Sequence, residues 1–318
     1  MPGEKKPSRV FGPVPSRRLG LSLGVDLVPY KTCSYDCVYC QIGRTTDRRA
    51  ERCDFGGVDE AVAEAAAKIS AGPRPDYVTL SGSGEPTLNS RLGDAVRDLK
   101  ALGVPVAVLT NGSLLWRDDV ARDLEAADLV CPSLDAATPE VWRKVNRPAE
   151  GLDFARMVEG LVDFRARFSG QVWLEILLVA GVNDSEEEVE ALAAAAARAR
   201  PDRVQLNTAV RPPADAGIRP VSPEEMERFT EFFTPRAEVV ASFSGRSVPG
   251  GPHTGAAGDR TADVLEMLAR RPCTLEDVCA GLAMNPAEAS KLLGVLLETG
   301  RAATAETDGR TYYEVTGR

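Results

Sequence analysis

Short apolar runs along this chain alternate with stretches in which apolar positions recur every three or four residues. The short runs predict strands at 23–28, 76–81, 104–109, 129–134, 172–179, 203–206 and 238–241. The longer stretches predict helices at 58–70, 92–102, 118–126, 139–145, 153–168, 185–197 and 222–232. Leu92, Val96 and Leu99 share one helix face, and Ser185 with Glu188 three residues on forms a capping box. Strands alternating with helices imply βαβ units and a parallel sheet. Six or so units without a dinucleotide-type glycine fingerprint predict an α/β barrel or partial barrel, with its chemistry on the loops that follow the strands.

The ends read differently. Residues 1–22 form a basic N-terminal segment, and two prolines and two glycines predict a loop at 12–20. The barrel is expected over 23–243. Gly, Pro and Ser make 244–259 a linker. In 260–318, helices are expected at 261–270, from 274 and at 286–298, then a hairpin over 301–315 turning at Asp308-Gly309. Three short helices and a hairpin resemble a small winged helix-turn-helix domain.

Composition narrows the setting. No run approaches the roughly 18 apolar residues of a membrane span. The first eleven residues lack an apolar signal core, so secretion is not expected. Seven cysteines, three of them clustered, suit a reducing cytoplasm better than a disulfide framework. Cys53, Cys131, Cys273 and Cys279 are scattered and read as plain thiols, with Cys53 near enough to the cluster in sequence to test by mutation.

A net charge of −9 excludes a generally basic nucleic-acid binder. Residues 1–52 nevertheless carry ten Lys and Arg against five acids, a basic apron that suits either a phosphate-bearing substrate or a solvated face. Residues 259–318 carry ten acids against seven bases, which disfavours DNA and favours docking to protein or substrate.

The chemistry concentrates in Cys33-Ser34-Tyr35-Asp36-Cys37-Val38-Tyr39-Cys40. Thiolates hold iron–sulfur clusters. Three ligands in one loop would leave one iron of a four-iron cubane open for a cofactor. A structural zinc site, the alternative, prefers four Cys or His ligands, and the single histidine, His253, lies far along the chain. The aromatic Tyr39 can shield a cluster.

This stretch resembles the C-x3-C-x-aromatic-C signature of the radical S-adenosylmethionine (radical SAM) superfamily. The resemblance implies a [4Fe-4S] cluster on Cys33, Cys37 and Cys40, with SAM on the open iron, reductively cleaved to a 5′-deoxyadenosyl radical. It implies the partial (β/α)6 TIM-barrel form of the α/β fold, and an electron donor such as flavodoxin or ferredoxin. It also assigns SAM contacts to Tyr39, to Gly82, Gly84 and Glu85 in a glycine-rich turn, to Asn111, and to Ser133 and Asp135. Glu85 would balance the methionine ammonium. Glu175, a carboxylate within an apolar strand, is an eighth candidate cofactor position, and it needs a partner or a place in the barrel lumen. Lys31 and Arg211 are the candidate partners. Gln205, Asn207 and Arg211 are expected at the barrel mouth.

The segment Gly12-Pro13-Val14-Pro15-Ser16-Arg17-Arg18-Leu19-Gly20, with Asn207-Thr208 and Arg211-Pro212-Pro213, is similar to the branch that makes the wyosine precursor on tRNA. That branch has further upstream cysteines, and none precedes Cys33 here. The substrate expectation is therefore open between a small molecule and RNA. The rival class is a redox-responsive DNA-binding regulator.

Overall fold

The computed structural model describes residues 8–16, 18–241, 260–282, 284–307 and 309–316. His253 and the expected linker lie outside them. An edge strand β1 (Val10–Ser16) pairs antiparallel with β2 (Gly20–Val25). Two short strands, β3 (Thr32–Cys33) and β4 (Asp47–Arg48), pair with each other in the loop that follows. The repeating part then runs α1 (Val58–Ala71), β5 (Tyr77–Leu80), α2 (Leu92–Lys100), β6 (Val106–Thr110), α3 (Asp118–Leu124) and β7 (Leu129–Pro132). It continues α4 (Pro139–Val145), α5 (Phe154–Arg167), β8 (Gln171–Leu178), α6 (Glu186–Ala199), β9 (Arg203–Thr208), α7 (Pro223–Phe229) and β10 (Glu238–Val239).

The main sheet has the order β1-β2-β5-β6-β7-β8-β9-β10, parallel from β2 onward. Strands β1 and β10 close its two ends without pairing to each other, so the barrel is partial. The stretch 12–20, expected as a loop, instead supplies most of β1 and the turn into β2. The sheet therefore starts before residue 23. A proline-rich run fits there because β1 is an edge, where a missing N–H leaves no neighbour unpaired. Its pairing slips between Phe11 and Val14, the segment that holds Pro13.

Alternation along each strand builds two cores. Val78, Leu80, Val106, Val108, Leu174, Ile176 and Leu206 face the helices and are buried in the larger cluster. The opposite face carries Ala107, Leu129, Cys131 and Trp173, which pack with Leu19 into a small plug. Further along the same face, towards the strand ends, come Ser133, Glu175, Gln205 and Asn207. Helix starts are fixed locally: Thr138, Asp153, Ser185 and Ser222 each accept a hydrogen bond from the backbone N–H three residues on.

Residues 260–316 form a unit with its own core of Val264, Leu268, Cys273, Val278, Leu293 and Leu296. Its helices are α8 (Arg260–Leu268), α9 (Leu275–Leu282) and α10 (Pro286–Glu298), followed by the hairpin β11 (Ala302–Thr307) and β12 (Arg310–Val315). Helices α8 and α9 pack beside β1. Among the described residues, no helix is long and apolar enough to cross a membrane.

Candidate active site at the mouth of the partial barrel

Cys33, Cys37 and Cys40 lie on the loop after β2 and line one cavity of about 790 Å³. Tyr39, Gly82, Gly84, Ser133 and Glu175 line it too, so five of the eight sequence-derived cofactor positions meet the three cysteines in one chamber. Glu85, Asn111 and Asp135 stand behind this wall, holding it in place.

Glu85 is 2% exposed. One carboxylate oxygen accepts from the Thr87 N–H (3.0 Å), the Thr87 hydroxyl (2.6 Å) and the Thr110 hydroxyl (2.6 Å). The other accepts from the Asn111 N–H at 2.7 Å. Burial raises its pKa despite these donors. The side chain ties the turn after β5 to the turn after β6. The glycine-rich turn also docks on the cysteine loop: the Lys31 N–H donates to the Ser83 carbonyl (2.8 Å) and the Glu85 N–H to the Thr32 carbonyl (3.1 Å). A Cβ on Gly84 would overlap that Thr32 carbonyl, so only glycine permits the approach. Gly82 has φ of +147°, and a Cβ there would strike Asp26.

Asn111 donates to the Cys33 sulfur (3.5 Å) and to the Ser34 hydroxyl (2.8 Å). Asp135, 4% exposed, accepts from the Leu177 N–H (2.9 Å), from Asn146 (2.8 Å) and from the Tyr39 hydroxyl. It thereby pins the aromatic ring between the second and third cysteines. Burial pushes its pKa up to about 6. Asn146 also donates to the Cys37 sulfur at 3.4 Å.

Glu175 pairs with Arg18 at 2.8 Å, not with Lys31 or Arg211, and accepts from Asn207 at 2.8 Å. The register aligns Glu175 with Gln205 on one side and Ser133 on the other. Arg18 also donates to Gln205 at 3.4 Å. With β1 ending at Ser16, the turn into β2 carries Arg18 to Glu175; read as a loop, 12–20 offered no such geometry. Arg211 instead bridges Gln41 (3.2 Å) and Asp277 (3.4 Å). Asp26, Asn146 and Arg270 are site residues the sequence did not single out. Each is an isolated polar residue whose role depends on partners far along the chain. Cys53 lies away from the cavity, its N–H bonded to the Leu88 carbonyl.

The donor set fits an iron–sulfur cluster. Burial, followed by the nearby Glu85 charge, pushes the Cys33 thiol up to about 12. Cys37 is raised well above its ordinary value by burial, then by Asp135 and Cys33, and burial raises Cys40. Buried thiols with raised pKa values give up their protons readily only when a cation binds, and the iron of a cluster would supply one. Among the described residues, no three Cys, His, Asp or Glu side chains converge on a single ion. A cubane spreads its ligands over separate irons, so its cysteines stand farther apart than those of one ion.

A model of the radical SAM superfamily matches residues 27–193. The chain is 36% identical over 98% of its length to a Brachyspira hyodysenteriae protein named GTPase Obg, although it spans only 45% of that protein. It is 32% identical to a UPF0026 protein of Methanocaldococcus jannaschii, covering 95% of this chain and 94% of that one. Among solved structures, TYW1 with a lysine-pyruvate adduct superposes with a TM-score of 0.53 at 17% identity, covering 71% of this chain and 76% of that one. A radical SAM methyltransferase from Sphaerobacter thermophilus gives 0.53 at 20% identity, covering 70% and 67%. At these identities the superpositions bear on the fold alone, and the fold agrees. The superfamily match and the alignment over nearly the whole chain agree with the cysteine loop and its barrel mouth: the chain belongs to the radical SAM superfamily and is an enzyme of SAM-dependent radical generation.

Proposed function

We propose that Cys33, Cys37 and Cys40 hold a [4Fe-4S] cluster and that SAM occupies the adjoining cavity. Tyr39, Gly82, Gly84 and Ser133 form its contacts, while Glu85, Asn111 and Asp135 act as positioning groups. The observation that carries this reading is the docking of the glycine-rich turn on the cysteine loop through Lys31, Thr32, Ser83 and Glu85. When bound, and given one electron by an external donor, the cluster and SAM would supply a 5′-deoxyadenosyl radical; the chain would bind and orient them and screen them from water. Glu175, neutralised by Arg18, faces the same cavity and is placed to orient the substrate or the cofactor ribose.

The test is anaerobic reconstitution of the full chain. Near four irons and four sulfides per chain are expected by the cubane's stoichiometry, with SAM binding and 5′-deoxyadenosine formed after dithionite reduction. Cys33→Ala, Cys37→Ala and Cys40→Ala should each lose the cluster, whereas Cys53→Ala should keep it. Iron retained by all three single variants, or no 5′-deoxyadenosine from the intact chain, contradicts the proposal.

A second reading is a wyosine-type reaction on tRNA. It rests on the similarity of residues 12–20, 207–208 and 211–213 to the branch that makes the wyosine precursor. Residues 260–316, three helices and a hairpin, we read as a winged-helix module. Its surplus of acids argues against DNA as its ligand.

A further inference from the structure

The cavity is not built by the barrel alone. Its outer wall comes from residues 260–316, including Asp263, Met267, Arg271, Glu276, Gly281 and Tyr312. Opposite charges meet across the two walls: Lys68 faces Glu266 (3.6 Å), Arg211 faces Asp277 (3.4 Å) and Arg270 faces Asp26 (2.9 Å). The Tyr312 hydroxyl donates to the Val210 carbonyl at 2.7 Å.

Two of the connections continue into the cofactor-holding loops. Arg270 donates to Asp26 (2.9 Å), and the same Asp26 oxygen accepts the Ser83 N–H (2.9 Å) of the glycine-rich turn. Arg270 also donates to the Ser8 carbonyl (2.8 Å) and covers the Phe11 ring, its guanidinium 4.7 Å from the ring centre. Asp277 holds Arg211, which holds Gln41, the residue after Cys40.

Resting on the reading above, we propose that residues 260–316 are a lid. It encloses a small substrate beside SAM, and its seating stiffens the glycine-rich turn through Arg270–Asp26–Ser83 and the cysteine loop through Asp277–Arg211–Gln41. A chamber of this volume is of the size that takes one or two small ligands. A folded RNA reaches it only if the lid leaves.

Hydrogen–deuterium exchange on the full-length chain tests this, before and after cluster reconstitution. Arg270→Gln should speed exchange at residues 81–85, and Asp277→Asn at residues 40–43, each by about tenfold, as expected for loss of one charge-assisted bond. SAM release from the reconstituted variants should accelerate by a similar factor. Arg270→Lys, which keeps a charge beside Asp26, should recover most of the loss at 81–85; it decides the outcome should Arg270→Gln unfold. Excess tRNA should leave exchange of residues 260–316 unchanged. Unaltered exchange at both loops in the variants would overturn the coupling. A tRNA that binds and frees residues 260–316 would overturn the small-substrate assignment. If the wild-type chain bound no SAM, the proposed cofactor site would fail, while the exchange comparison would still decide the lid.

Discussion

Gly84 lies against the carbonyl of Thr32, with no room for a Cβ between the glycine-rich turn and the cysteine loop. Backbone cannot yield as a side-chain tip can. We expect Gly84→Ala to cost about 1–3 kcal/mol of stability and to impair iron uptake, because the two loops must part. Gly294→Ala in α10, where a Cβ meets nothing within 4 Å, should instead be neutral or stabilise by up to about 1 kcal/mol. Denaturant midpoints and iron content of the two variants check this; equal behaviour would contradict it.

The Arg18–Glu175 pair is about 15% exposed at each side chain, so each charge depends on the other. Arg18→Met removes the cation paired with the Glu175 carboxylate and should cost about 1–3 kcal/mol. Arg18→Met with Glu175→Leu should cost clearly less than the sum of the single changes. A double-mutant cycle by urea unfolding measures the coupling; strict additivity would show that the pair is not the partnership described.

Asp135 makes stability fall with rising pH. Burial pushes its pKa up to about 6, above an unfolded carboxylate, so the folded chain holds the proton more tightly. Its contribution is complete below roughly pH 4 and lost as pH rises through about 6, a change of about 2–3 kcal/mol. Asp135→Asn should flatten that part of the wild-type profile between pH 4 and pH 6. A difference curve of the opposite slope would reverse the assignment.

Asn111 and Asn146 point amides at the Cys33 and Cys37 sulfurs. Hydrogen bonds to sulfur favour the more negative, reduced state of a cluster. Asn111→Leu and Asn146→Leu should each lower the midpoint potential of the reconstituted protein, read by EPR-monitored titration. A rise in potential would show that these amides do not act on the cluster.

The three cysteines were legible because their spacing is local: one loop brings them together whatever the rest of the chain does. The alternation of strands and helices was legible for a similar reason, since hydrophobic period depends only on neighbouring residues. The stretch 12–20 misled because its prolines and glycines describe local turn preference. Strand formation there needed an edge position beside β2, which is a property of the sheet. Glu85 stood at the expected place after β5, but four donors, two of them from the β6 end, turn its carboxylate into a brace.

By itself the sequence determined the fold class, the cysteine loop and the order of the loops that surround it. Tertiary structure decided that Arg18 neutralises Glu175, that Asp135 anchors Tyr39, and that α8 and α9 roof the cavity. Each of those contacts joins residues that backbone propensity does not relate. They are 157, 96 and more than 200 positions apart, and they meet because sheet order, register and helix packing bring them together.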